Sequence, residues 1–166
     1  MSDGPVNTTS VRAEAIEPHV SDSAVQRRAE GLMLDALQQQ LDAPLKRPFH
    51  FPVNNTSRME FDGGLLLDDT TPGILVEAWA HQGPPKGAQL KKIVTDAFKL
   101  TFAATLIPVR PRLVLLFSDE MAAAPFRSER SWAAAAFRTH NVELVVVELA
   151  AEERAAIASA QSKQYR

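Results

Sequence analysis

The pattern of apolar and polar positions divides the chain into a polar leader, an amphipathic helix, a β-rich stretch, and then helices alternating with buried strands. Residues 1–20 hold few large apolar side chains and include Pro5 and Pro18. They offer too little apolar surface to offset the entropy of ordering, and a flexible tail is expected. From residue 21 onward Val25, Ala29, Leu32, Met33, Ala36, Leu37 and Leu41 recur at helical spacing, and Ser23 with Gln26 fits a capping box. The pattern predicts a helix that ends before Pro44. Residues 46–55, with Pro48 and Pro52, read as an irregular connection in which FHF at 49–51 has the character of a short edge strand.

The next stretch is extended. Residues 58–62 alternate as a strand does, Gly63-Gly64 permits a turn or bulge, and residues 65–67 resume extended structure. After a turn at Thr70-Thr71-Pro72-Gly73, residues 74–80 (ILVEAWA) read as a central strand, apolar on both faces except at Glu77. Gly83-Pro84-Pro85 breaks the chain before a helix predicted over 86–104. Leu90, Ile93, Val94, Ala97 and Thr101 form its apolar side, and Gln89, Lys92, Asp96 and Lys99 its polar side. Buried strands follow at 112–118 and 142–148, separated by a helix over 128–140, and a helix over 152–163 closes the chain. The predicted order is α-β-β-β-α-β-α-β-α, an α/β class with a mixed central sheet covered on both faces. The predicted organisation is a tail over 1–20, one core domain over 21–150, and a C-terminal helix and tail over 151–166.

Composition narrows the functional classes. The 166 residues are 45% hydrophobic and 23% charged, as in an ordinary globular protein of one domain. A net charge of -2 gives no global attraction to a polyanion, yet residues 86–112 set Lys86, Lys91, Lys92, Lys99, Arg110 and Arg112 against Asp96 alone. Any polyanion site is therefore expected to be local. The chain has no cysteine, and its histidines at 19, 50, 81 and 140 show no zinc-ligand spacing. No apolar run approaches the roughly 18 residues of a membrane span, and the N-terminus lacks a signal-peptide apolar region, so a cytoplasmic protein with no membrane partner is expected. No nucleophile triad, phosphate loop or dinucleotide fingerprint is present.

The candidate chemistry lies in residues 58–100. Asp62 and Glu77 stand on neighbouring extended segments, with basic groups close behind in sequence. A carboxylate inside an apolar strand needs a partner, because an unpaired buried charge costs several kcal/mol. Asp62 also reads as a turn former, Asp68 and Asp69 as turn caps, Glu30 as a surface acid on the flank of the first helix, and His81 as a strand-end histidine. Trp79 reads as a core aromatic.

Phe61-Asp62-Gly63, Glu77-Ala78-Trp79 and the Gln89-x-x-Lys92 phase of the next helix resemble the PD-(D/E)XK nuclease superfamily over residues 24–148. That resemblance implies a restriction-endonuclease-like, three-layer αβα core. It implies a nuclease hydrolysing phosphodiester bonds in nucleic acid, DNA in the first instance, with Asp62 and Glu77 binding Mg2+ or Mn2+. The motif's lysine would stand two residues after Glu77, where this chain has Trp79. Lys86 and Lys92 are the expected replacements, and Lys86, Gln89, Lys91, Lys92 and Lys99 the expected nucleic-acid contacts. Glu30 would be an occasional helper to the metal, and a homodimer is compatible with the family's habits. The alternative is an inactive module of the same fold that binds nucleic acid or a protein partner.

Overall fold

Burial of the apolar stretches dictates the architecture. The structure, a computed structural model, describes residues 22–163; the tail expected over 1–20 lies outside them. In chain order the elements are α1 (Asp22–Leu41), β1 (Phe49–Pro52), β2 (Arg58–Phe61), β3 (Gly63–Leu66), β4 (Pro72–Trp79), α2 (Gly87–Leu106), β5 (Arg112–Phe117), α3 (Glu120–Ala123), a 3₁₀ turn (Ala124–Phe126), α4 (Trp132–Thr139), β6 (Val142–Val146) and α5 (Ala151–Lys163). The protein is a mixed α/β structure built on a four-stranded sheet of order β3-β4-β5-β6. β3 and β4 form an antiparallel hairpin, while β4, β5 and β6 run parallel.

Every residue of β4 is buried, which is what a parallel strand covered on both faces requires. Alternate side chains supply two apolar layers. Leu75, Trp79, Leu113, Leu115 and Phe117 pack with Ile93, Ala97 and Leu100 of α2 and with Phe126 and Phe137. Ile74, Val76, Ala78, Val114 and Leu116 pack on the other face with Ala29, Met33 and Leu37 of α1 and with Ile157 of α5. α5 is tied to α1 as well by an Arg28–Glu153 ion pair at 2.6 Å.

Several local expectations change. The FHF segment does pair, as β1 against β2 in a separate antiparallel ribbon with Phe49 opposite Phe61. Gly63-Gly64 forms no hairpin turn. The chain passes there from the ribbon into the main sheet, and a Cβ on Gly64 would lie 2.4–2.9 Å from the Phe49 ring; glycine is needed for close approach. α1 already includes Asp22 and Ser23, and the Gln26 amide donates forward to Glu30 at 3.0 Å. The helix expected over 128–140 starts at Trp132, because Ser131 caps it by accepting from Ala134 N–H. The preceding residues form α3 and the 3₁₀ turn, begun by Asp119, whose carboxylate accepts from Met121 N–H.

Candidate functional site

β3 stops pairing with β4 at Gly63–Val76, which leaves the second half of β4 with an open edge on that side. Unpaired strand amides need acceptors, and side chains provide them. Asp62, the residue between β2 and β3, accepts the Ala78 N–H through Oδ2 at 2.8 Å. Glu30, from α1, lies close enough to the Ala80 backbone for it to draw the Glu30 carboxyl towards the charged form. Two carboxylates therefore converge on the free edge beside Glu77.

Glu77 is buried on the face of β4 that α2 covers. The Lys99 ammonium lies against Glu77 Oε1 as an ion pair, although that oxygen has no hydrogen bond of regular geometry. Lys99 is itself held by the Glu60 carbonyl at 2.8 Å and lies 5.1 Å from the centre of the Phe61 ring. Lys92, two turns earlier on the same side of α2, pairs with Asp96 at 2.6 Å. The polar side of α2 thus faces the carboxylates.

The electrostatics follow from burial and crowding. Burial pushes the Glu77 carboxyl up to about 8; Lys99 opposes the rise, and Asp62 and Asp96 add to it. Glu30 is also raised by burial, with Asp62 pushing the same way and Gln26, Lys92 and Ala80 pulling back. Burial works against the Lys92 charge, but Asp96, Glu77 and Asp62 outweigh it and hold the ammonium above its ordinary range. This is one coupled cluster: Glu30, Asp62, Glu77 and Asp96 against Lys92 and Lys99.

A cleft of about 250 Å³ adjoins it, lined in part by Gln26, Trp79, His81, Gln89, Lys92 and Gln161. Trp79, two residues after Glu77, presents a buried ring there, stacked on His81 at 4.5 Å and set edge-on to Phe117. Burial, with Lys86 acting the same way, lowers the His81 pKa against the opposing pull of Pro84 and Asp119. The His81 backbone exchanges hydrogen bonds with the Ser118 hydroxyl at 3.1 Å in both directions. Gln89 accepts from the Lys86 backbone N–H at 2.7 Å and places its amide 3.5 Å from His81 Nδ1.

The expected residues divide accordingly. Asp62, Glu77, Lys92 and Lys99 come together. Lys86 and Gln89 stand beside His81 at the start of α2, and Lys91 lies on the other flank of the helix, in a groove with Trp132. Asp68 is a turn cap, accepting from the Thr70 and Thr71 N–H groups at 2.8 Å, which lowers its carboxyl to about 2. Sequence reasoning placed Asp96 on the polar side of α2 without a role, read Glu30 as a surface acid, and read Lys99 as a nucleic-acid contact and not as the partner of Glu77. The four-residue step from Lys92 to Asp96 and the three-residue step on to Lys99 carried the signal for the first and last. Among the described residues, no three histidine, aspartate or glutamate side chains are grouped to hold an ion. The chain matches no protein-family model, no curated protein and no solved structure.

Proposed function

We propose that the chain is a restriction-endonuclease-like domain that hydrolyses phosphodiester bonds in nucleic acid, DNA in the first instance, with Mg2+ or Mn2+. One observation carries the reading: Asp62 and Glu77 flank the open edge of β4, and a lysine from α2, Lys99, lies against Glu77 although the strand itself offers Trp79. The fit to a hard cation is in the donors. Asp62 and Glu77 supply oxygen ligands, and Glu77 Oε1 is a buried acceptor without a regular hydrogen bond. Two carboxylates suffice for Mg2+, which keeps several waters and takes substrate phosphate oxygens. When bound, such an ion lowers the pKa of a water and offsets charge on the phosphoryl oxygens.

The chain's own residues would do the rest. Asp62 is oriented by the Ala78 N–H, so its second oxygen keeps a fixed direction. Glu77 gives up its proton when a cation arrives. Lys99 and Lys92 set positive charge beside the carboxylates, where a phosphate would approach, with Lys99 the better placed to stand in for the missing lysine. The inactive-module alternative draws on Trp79, whose packed ring leaves no polar group on the strand at that position.

The test is cleavage of supercoiled plasmid, single-stranded DNA and RNA with Mg2+ or Mn2+, comparing the natural chain with Asp62→Ala and Glu77→Ala. The expected result is metal-dependent cleavage that falls at least about a hundredfold in each variant. Equal activity in all three, or none in any, would remove the catalytic claim, and salt-sensitive binding without cleavage would establish the inactive module.

A further inference from the structure

We infer that the outer face of α2 is the seat of a second copy of this chain, paired about a two-fold axis near Phe98. The inference is independent of the nuclease reading. Leu90, Val94, Phe98, Phe102 and Leu106 recur at four-residue steps along α2, forming an unbroken apolar ridge of the kind that packs helix on helix. The C-terminal part of the ridge is uncovered, while Leu90 and Val94 lean on the core: Phe98 is 70% exposed, Phe102 40% and Leu106 41%. Beside its N-terminal half runs a groove of about 800 Å³, bounded by Leu90, Val94, Phe126 and Trp132, the last 74% exposed. A ridge next to a depression on one surface can complement itself.

Area supports this occupant. With aromatic side chains of about 150–250 Å² each, the four exposed side chains present about 400–500 Å² of apolar surface. A stable interface of about 800 Å² per partner is about 57–65% apolar, so the patch alone supplies nearly all the apolar surface that a dimer needs. Charge supports it as well. Lys92, Asp96 and Lys99 belong to the carboxylate cluster, which leaves Lys91 as the charged residue of α2 on this side, at the N-terminal third. The last turn of α2 has no basic residue. Two α2 helices antiparallel about Phe98 would set each Lys91 opposite Thr105 of the other copy, in that last turn, where carbonyl groups favour a cation. The same geometry lays Trp132 over Phe102 and Leu106 of the other copy. A nucleic-acid strand would leave this ridge in water.

The test is sedimentation velocity of the full chain, with Phe98→Glu/Trp132→Glu as the perturbation. The expected result is a dimer with a dissociation constant of about 1 μM or tighter, weakened at least about a hundredfold in the double variant. Its circular dichroism should be unchanged, because both side chains are exposed. Since the chain has no cysteine, Phe98→Cys offers a second readout, a disulfide-linked dimer under mild oxidant. A monomeric natural chain, a dimer indifferent to the double variant, or a surface protected by nucleic acid instead of by a second copy would overturn the proposal.

Discussion

Glu77→Gln should make the protein more stable, and the gain should appear only as pH rises. The carboxyl is buried and rises from an ordinary value of 4.5 to about 8. Below about pH 4.5 both the folded and unfolded chains hold that proton, and the side chain contributes no pH dependence. Between 4.5 and 8 the unfolded chain releases it while the folded chain keeps it, so stability is lost across this window and levels off above it. At about 1.4 kcal/mol per pH unit the full loss is about 3 to 5 kcal/mol. Glutamine keeps the shape and removes the titration. Lys99 loses a carboxyl neighbour in the variant, but it retains the Glu60 carbonyl and the Phe61 ring and is partly solvated, which keeps that cost small. The assay is urea unfolding of both chains with a chelator, at steps between pH 5 and 8. The variant should be within about 1 kcal/mol of the natural chain at pH 5 and about 3 to 5 kcal/mol more stable at pH 8. Taking the difference cancels the other titrating groups, His81 and Glu30 among them. A difference that is flat with pH, or one that favours the natural chain at pH 8, would refute the argument.

The elements were largely legible because their burial is periodic. Residues 74–80 are apolar at every position but Glu77, a short β-branched and aromatic run bounded by Pro and Gly that fits a strand covered on both faces, and β4 is such a strand. The polar side of the following helix was legible for the same reason, since Gln89, Lys92, Asp96 and Lys99 share a phase. Depth was not legible. Phase assigns Lys92 and Lys99 to one side of a helix, but which of them meets Glu77 depends on where the crossover sets α2 over the sheet and on β2 passing beneath Lys99. Asp62 illustrates a different gap. A carboxylate before Gly63-Gly64 suggests a turn, whereas here the glycines admit the Phe49 ring and the carboxylate takes an orphan strand amide. Glu30 follows from the same cause: it reaches the Ala80 backbone because β3 ends early, and nothing in the α1 sequence encodes the length of β3.

Gly64→Ala should destabilise the fold by about 1 to 3 kcal/mol, measured by urea unfolding, because its Cβ would fall 2.4–2.9 Å from the buried Phe49 ring. A neutral effect would mean that the β1–β2 ribbon does not press on β3. Lys99→Met and Lys92→Met should divide the roles of the two ammonium groups. Lys99 lies against a carboxylate buried in β4, so losing it should cost about 10²–10³ in kcat, with KM for DNA little changed. Lys92 is bonded to Asp96 and feels Glu77 and Asp62 only through space, so its loss should cost less in kcat and more in KM. Steady-state cleavage of one oligonucleotide by both variants measures the split. The reverse order would give Lys92 the larger catalytic part, and would leave Lys99 as a strut between α2 and β2.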